Sequence, residues 1–299
     1  MNEKIPAGKA YEIPKNIRSR PITIIGAGTM GRRIALMFCT RGGEVRVYDL
    51  IKEQRDAAVE FVNKELPSLI WNMEKNPDCH AIATDNLAVA VKDAWLVIES
   101  IPEKLDLKKK VFAELDRLAE PDAILASNSS LYAASQFSNN ITHPERALNT
   151  HFYMPPTRNG IDIMSNGRTD RAIIDLLLKE LPRYGIFPFE ARKESTGFIF
   201  NRIWAAINRE SLAVAAEGVS TPTEIDQMWM INMQTALGPF RFMDKVGLDI
   251  VLETESHYSE QNPHLPTGPR TLLEKLVNAG HLGVKTGKGF YDDYTTSGP

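Results

Sequence analysis

Little in this sequence lends itself to metal, membrane or nucleic-acid chemistry. Cysteine occurs twice, at Cys39 and Cys79. Two scattered thiols make neither a disulfide framework nor a metal cluster, so a reducing compartment is expected and a metal is not. No apolar run approaches the roughly 18 residues that a membrane span requires, which argues against a membrane partner. An excess of one charge is lacking too: the net charge is −3, which leaves no basic surface for nucleic acid. The opening MNEKIPAGKAYEIPKNIRSR lacks the apolar core of a secretory signal, and Glu3 and Glu12 count against an organellar transit peptide. The closing TTSGP carries no peroxisomal tripeptide. The expected location is the cytoplasm, with residues 1–19 as a surface arm.

What is present is the composition of a soluble globular protein, with 43% apolar and 24% charged residues over 299 positions. That length favours two domains. From Pro21, short apolar runs alternate with amphipathic stretches. PITIIGAG, EVRVYDL, AWLVIESI, DAILASNSS, RALNTHF, GIDIM and IFPFEA read as strands. TMGRRIALMFCTRG, KEQRDAAVEFVNKEL, LDLKKKVFAELDRLA and DRAIIDLLLKELPRYG read as helices, the second ended by Pro67. Strands alternating with helices mean parallel pairing, hence an α/β doubly wound sheet over residues 20–193. From about Ser195 the signals are helical. STGFIFNRIWAAINRESLAVAAEG reads as one long, largely buried helix. TPTEIDQMWMINMQ opens with Thr221 as N-cap, Pro222 at the first helical position and Glu224 three residues beyond the cap. FRFMDKVGLDIVLETESHY and PRTLLEKLVNAG complete an all-α domain over residues 194–299.

Gly26-Ala27-Gly28-Thr29-Met30-Gly31 is a G-x-G-x-x-G between a strand and a helix, the context that gives this motif its value. Gly26 permits the tight turn, Gly28 lets the backbone approach a pyrophosphate, and Gly31 allows close helix–strand packing. The anion sits on the helix N-terminus, where unbonded N–H groups point. Asp49 closes the second strand, eighteen residues after Gly31, where a carboxylate grips the adenosine ribose. Because Asp49 repels a 2′-phosphate, NAD is the expected cofactor rather than NADP. The bland alternative is a glycine-rich turn with Asp49 as a helix cap.

Beyond this loop the chain resembles the 3-hydroxyacyl-CoA dehydrogenase family, including its gulonate dehydrogenase and lambda-crystallin branch. The resemblance runs over about residues 20–292. It is carried by ESIPEKLDLKKKVFAELD, by ASNSSLYAAS against the family's S-N-T-S-S, and by HPERALNTHFYMPP against H-F-F-N-P. In the second half GFIFNRIWAAINRESLAVAAEG, GPFRFMDKVGLD and KTGKGFYDD carry it. It implies a Rossmann-type doubly wound sheet followed by an all-α C-terminal domain. It also implies NAD-linked interconversion of a secondary alcohol and a ketone, and a homodimer built on the C-terminal helices.

The resemblance places His151 as the catalytic acid/base, a role that suits a group titrating near working pH. The family's partner glutamate lies twelve residues on. That count lands here on Ile163, and a one-residue deletion in PPTRNG instead makes Asp162 the orienting carboxylate. Ser130 matches the substrate-contacting serine, and Asn128 is assigned to the nicotinamide or ribose. Asn201 matches the asparagine that closes the site from the second domain. Glu103 and Lys108 match residues near the nicotinamide ribose. Each has a plainer alternative: a core or loop histidine, an edge-strand acid, turn chemistry, an interdomain amide, or a solvated helix face.

Three departures bear on substrate. Met154 replaces the asparagine of H-F-F-N-P. The segment LPSLIWNMEKNPDCHAIATDN is short for the lysine-bearing hairpin that holds coenzyme A in the family. Arg158, in the altered PPTRNG loop, offers a guanidinium suited to a carboxylate. The expected substrate is a small molecule: an acyl-CoA, or alternatively a free hydroxy or keto acid or a secondary-metabolite intermediate. A third reading is a non-catalytic, crystallin-like NAD-binding protein, against which the retention of His151, Ser130 and Asn201 counts.

Overall fold

The protein is described from a computed structural model, which covers residues 11–70, 78–139 and 141–294. Residues 1–10 of the expected arm, the terminal tripeptide and residues 71–77 of the segment read as too short for a coenzyme A hairpin lie outside the described residues. The chain divides into two compact units between Phe198 and Ile199.

The first unit carries strands β1 (Ile22–Ile25), β2 (Gly43–Tyr48), β3 (Cys79–Thr84), β4 (Leu96–Glu99), β5 (Ile124–Ser127), β6 (Ala147–Met154), β7 (Arg158–Ser165) and β8 (Phe187–Ala191). Its helices are α1 (Thr29–Cys39), α2 (Lys52–Ile70), α3 (Leu87–Val91), α4 (Leu105–Leu118), α5 (Ser135–Ser138) and α6 (Arg171–Glu180). The strands form one sheet in the order β3-β2-β1-β4-β5-β6-β7-β8. Neighbours are parallel except β6 and β7, which form an antiparallel pair. Every residue of β1 and β4 is buried because both of their faces are covered. Ile24, Ile34, Phe38, Val47 and Ile174 fill one face, and Ile25, Val97, Phe112, Leu125 and Phe137 fill the other. The strand order reverses between β1 and β4, and the crevice at such a switch point is where doubly wound sheets take their ligands.

Two expectations, on Pro67 and on the cysteines, need correction here, and two others gain detail. α2 does not end at Pro67 but runs through it to Ile70. Pro67 cannot donate to the carbonyl of Asn63, yet both residues are exposed, so that carbonyl is not left buried without a donor. The segment ending in CHAIATDN holds an edge strand, β3, paired with β2 from Cys79 to Thr84. Cys39, at the end of α1, and Cys79, at the start of β3, are joined to each other as a disulfide with Cα atoms 5.3 Å apart. The arm is not wholly free: half-buried Tyr11 packs on the core and its hydroxyl donates to the Asp122 carbonyl at 2.7 Å.

The second unit is helical, with α7 (Phe200–Ala216), α8 (Pro222–Met233), α9 (Pro239–Val246), α10 (Leu248–Gln261) and α11 (Gly268–Asn278). Its core gathers Leu212, Phe240, Met243, Leu248 and Leu273. Thr221 and Glu224 form the reciprocal capping box of α8. The stretch FRFMDKVGLDIVLETESHY is two helices, because Gly247 takes φ 106° between them. The long helix predicted from Ser195 begins only at Phe200, since Gly197 and Phe198 both adopt positive φ. Nor is it largely buried: Phe200 and Ile203 are exposed and only one side meets the core. No helix among the described residues is long and apolar enough to cross a membrane.

Candidate active site

The phosphate loop follows from what its glycines permit. Gly26 sits at φ 103°, and a Cβ there would lie 2.5 Å from the Ser100 carbonyl oxygen. A Cβ on Gly31 would lie 1.8 Å from the Gly26 oxygen, so α1 approaches the loop more closely than a side chain allows. At Gly28, by contrast, a Cβ would meet nothing within 4 Å. That open space lies beside the first turn of α1, where Gly28 is an N-cap without a side-chain bond and Thr29, Met30 and Gly31 begin the helix. Uncapped N–H groups and the helix dipole fit a pyrophosphate there. The Asp49 carboxylate accepts from Ala27 N at 2.8 Å and Ile51 N at 2.9 Å, tying the loop to the end of β2. Each oxygen retains a lone pair for a ribose hydroxyl.

At the end of β4, Glu99 is fully buried and accepts from Lys108 Nζ at 2.8 Å and Ser127 Oγ at 2.6 Å. Lys108 is not on a solvated face; it is buried, and its ammonium also lies 3.1 Å from Glu103. Glu103 in turn accepts from Ser129 Oγ and, at 2.9 Å, from Leu131 N. The lysine therefore fixes the loop after β4 and, through Glu103, the loop after β5. Asn128 faces β6, its Oδ1 accepting from Phe152 N at 2.8 Å. Ser130, two residues further on, is exposed.

His151 lies in β6 with only 5% of its surface exposed. The antiparallel register pairs His151 directly with Asp162 in β7, and Ile163 pairs with Thr150. Side chains alternate across a strand, so Asp162 shares the face of His151 while Ile163 points away. His151 Nδ1 lies 3.7 Å from Asp162 Oδ2, an ion-pair separation too long for a hydrogen bond. Two residues missed in the sequence complete the surroundings. Phe198 stacks on the imidazole at 5.1 Å with 5° between the planes, and Tyr153 meets it edge-on at 4.6 Å. The Tyr153 hydroxyl donates to Asp162 Oδ2. The signal for Tyr153 was the tyrosine standing against the second phenylalanine of H-F-F-N-P; Phe198 was hidden inside an assumed helix. Asn201 belongs to the second unit, half-buried at the start of α7. At the tip of the β6–β7 hairpin, Met154 is cross-strand partner to Arg158 and 39% exposed.

A doubly wound sheet with this loop at its switch point defines a dinucleotide-binding protein. Residues 21–194 match the 3-hydroxyacyl-CoA dehydrogenase NAD-binding domain and residues 197–293 the C-terminal domain of the same proteins. The chain thus belongs to the 3-hydroxyacyl-CoA dehydrogenase family and is an NAD-dependent dehydrogenase. It is 29% identical to a 3-hydroxybutyryl-CoA dehydrogenase of Clostridioides difficile, over 91% of this chain and 98% of the relative. It is also 29% identical to the 5-formyl-3-hydroxy-2-methylpyridine 4-carboxylate 5-dehydrogenase of Mesorhizobium japonicum, over 91% and 90%. The solved (S)-3-hydroxybutyryl-CoA dehydrogenase of Ralstonia eutropha superposes with a TM-score of 0.83 at 26% identity, over 93% of this chain and all of the other.

Proposed function

We propose that the enzyme interconverts a secondary alcohol and a ketone, with His151 as the acid/base. NAD, when bound on the Gly26–Gly31 loop, supplies the hydride acceptor. In the oxidative direction His151 removes the hydroxyl proton while the carbinol carbon loses hydride. Asp162 stands behind Nδ1 to hold the resulting imidazolium. Ser130 donates to the substrate oxygen, Asn201 closes the site, and Asn128, Glu103 and Lys108 support the nicotinamide end. The observation that carries this reading is the cross-strand pairing of His151 with Asp162 in the sheet that also carries the dinucleotide loop. The decisive experiment follows nicotinamide absorbance for wild type and His151→Gln. The variant is expected to lose roughly a hundredfold to ten-thousandfold in turnover with little change in NAD affinity. Near-full turnover refutes the assignment.

The substrate class is an acyl-CoA or a free hydroxy or keto acid, and the hairpin tip favours the second. Met154 offers no donor to a substrate oxygen, and its strand partner Arg158 brings a cation to the same tip. Acetoacetyl-CoA is therefore expected to be a poorer substrate than a free keto acid. Turnover of acetoacetyl-CoA at about 10⁴ M⁻¹s⁻¹ or better would support the coenzyme A reading instead.

The same reading makes the enzyme a homodimer, and exposed apolar side chains on α7 and α8 support it. The expected cytoplasmic location rested on two free thiols, and the Cys39–Cys79 bond removes that ground.

A further inference from the structure

Asp162 is a buried carboxylate, 3% exposed, and among the described residues its one hydrogen-bond donor is the hydroxyl of Tyr153. His151 Nδ1, though buried, has no hydrogen-bond partner and stops 3.7 Å short of the same oxygen. A buried carboxylate without a donor takes up a proton or swings towards one. We propose that Tyr153 is the positioning residue of this site: its phenol holds the Asp162 carboxylate in place, facing His151 across the two strands. The strand geometry supports this. Positions 151 and 153 lie on one face of β6, and the β6–β7 ladder is irregular between Phe152 and Met154, at Tyr153 itself. The edge-on contact of the two rings fixes the phenol beside the imidazole. The inference rests on His151 and Asp162 being the acid/base pair.

The test compares Tyr153→Phe, Asp162→Glu and the double variant, using the better substrate of acetoacetyl-CoA and a free keto acid. Tyr153→Phe keeps the ring and removes the donor. It should lower kcat about tenfold or more and leave the KM for NAD unchanged. A glutamate, one methylene longer, reaches Nδ1 directly, so Asp162→Glu in the Tyr153→Phe background should restore kcat to within about threefold of wild type. A substrate-independent arm reads thermal stability. Tyr153→Phe should melt lower than wild type, and adding Asp162→Asn should recover part of the loss by replacing the carboxylate left without its donor. Wild-type kcat in Tyr153→Phe, absence of rescue by glutamate, or no recovery of melting temperature with asparagine overturns the proposal. If His151→Gln keeps its turnover, the acid/base reading itself has failed. If His151→Gln is inactive while Tyr153→Phe is normal, only the role of Tyr153 has.

Discussion

At Lys108 a positive charge with 1% of its side chain exposed stands between Glu99 and Glu103. An ion pair this deep owes its tolerance to completeness: removing one partner leaves the other charged and dry. Ser127 and the Ile101 amide share Glu99, so the loops after β4 and β5 depend on the same group. Lys108→Met is expected to destabilise the fold by about 3–5 kcal/mol, read by denaturant unfolding. It should also weaken NAD binding through the released Glu103. A variant as stable as wild type would mean that Glu99 finds another partner. In the sequence Lys108 was indistinguishable from its neighbours Lys109 and Lys110. Only the resemblance marked it, and nothing in the local pattern announced that it was buried.

Among the elements, the β1–loop–α1 unit was the most legible, because its glycines are demanded by backbone contacts a few residues apart. Gly31→Ala places a methyl group against the Gly26 carbonyl, and relief requires α1 to move off the loop. Affinity for NAD, measured by calorimetry, should fall by at least about tenfold while the helical unit stays folded; unchanged affinity would show that the loop tolerates the shift. The α8 capping box was equally readable, since its residues are local to one another. What escaped depended on distant partners. β3 pairs only with β2 at the sheet edge, so CHAIAT lacks the unbroken apolar run of a central strand. The extension of α2 through Pro67 depends on exposure, and the late start of α7 on two backbone angles at Gly197 and Phe198. The His151–Asp162 pair was legible only by aligning the chain against its family, because the register of a hairpin is set by its turn and not by either strand alone.

At the scale of the whole molecule, the helical unit leaves apolar side chains in solvent. Phe200 and Ile203 on α7, and Met228, Ile231 and Met233 on α8, are all exposed, Ile231 by 76%. The inward side of α8 buries only Asp226, which accepts from the Phe240 and Arg241 amides. Ile225 ties α8 to the core of its own unit, and the apolar outer side is what the proposed dimer would cover. Light scattering at micromolar concentration should return twice the 33.5 kDa of one chain. Ile203→Glu or Ile231→Glu should shift it towards that single mass. A wild type that elutes as a monomer excludes the dimer.

The antiparallel turn between β6 and β7 separates two properties that most sites bind together. His151 and Asp162 are held opposite each other by the ladder, several residues in from the tip that carries Met154, Pro155, Pro156 and Arg158. At constant length the tip can therefore change its chemistry while the ladder beneath it keeps its pairing. Transplanting this short span, at its own length, from a relative with another substrate is a route to altered selectivity in which the proposed acid/base pair stays where it is.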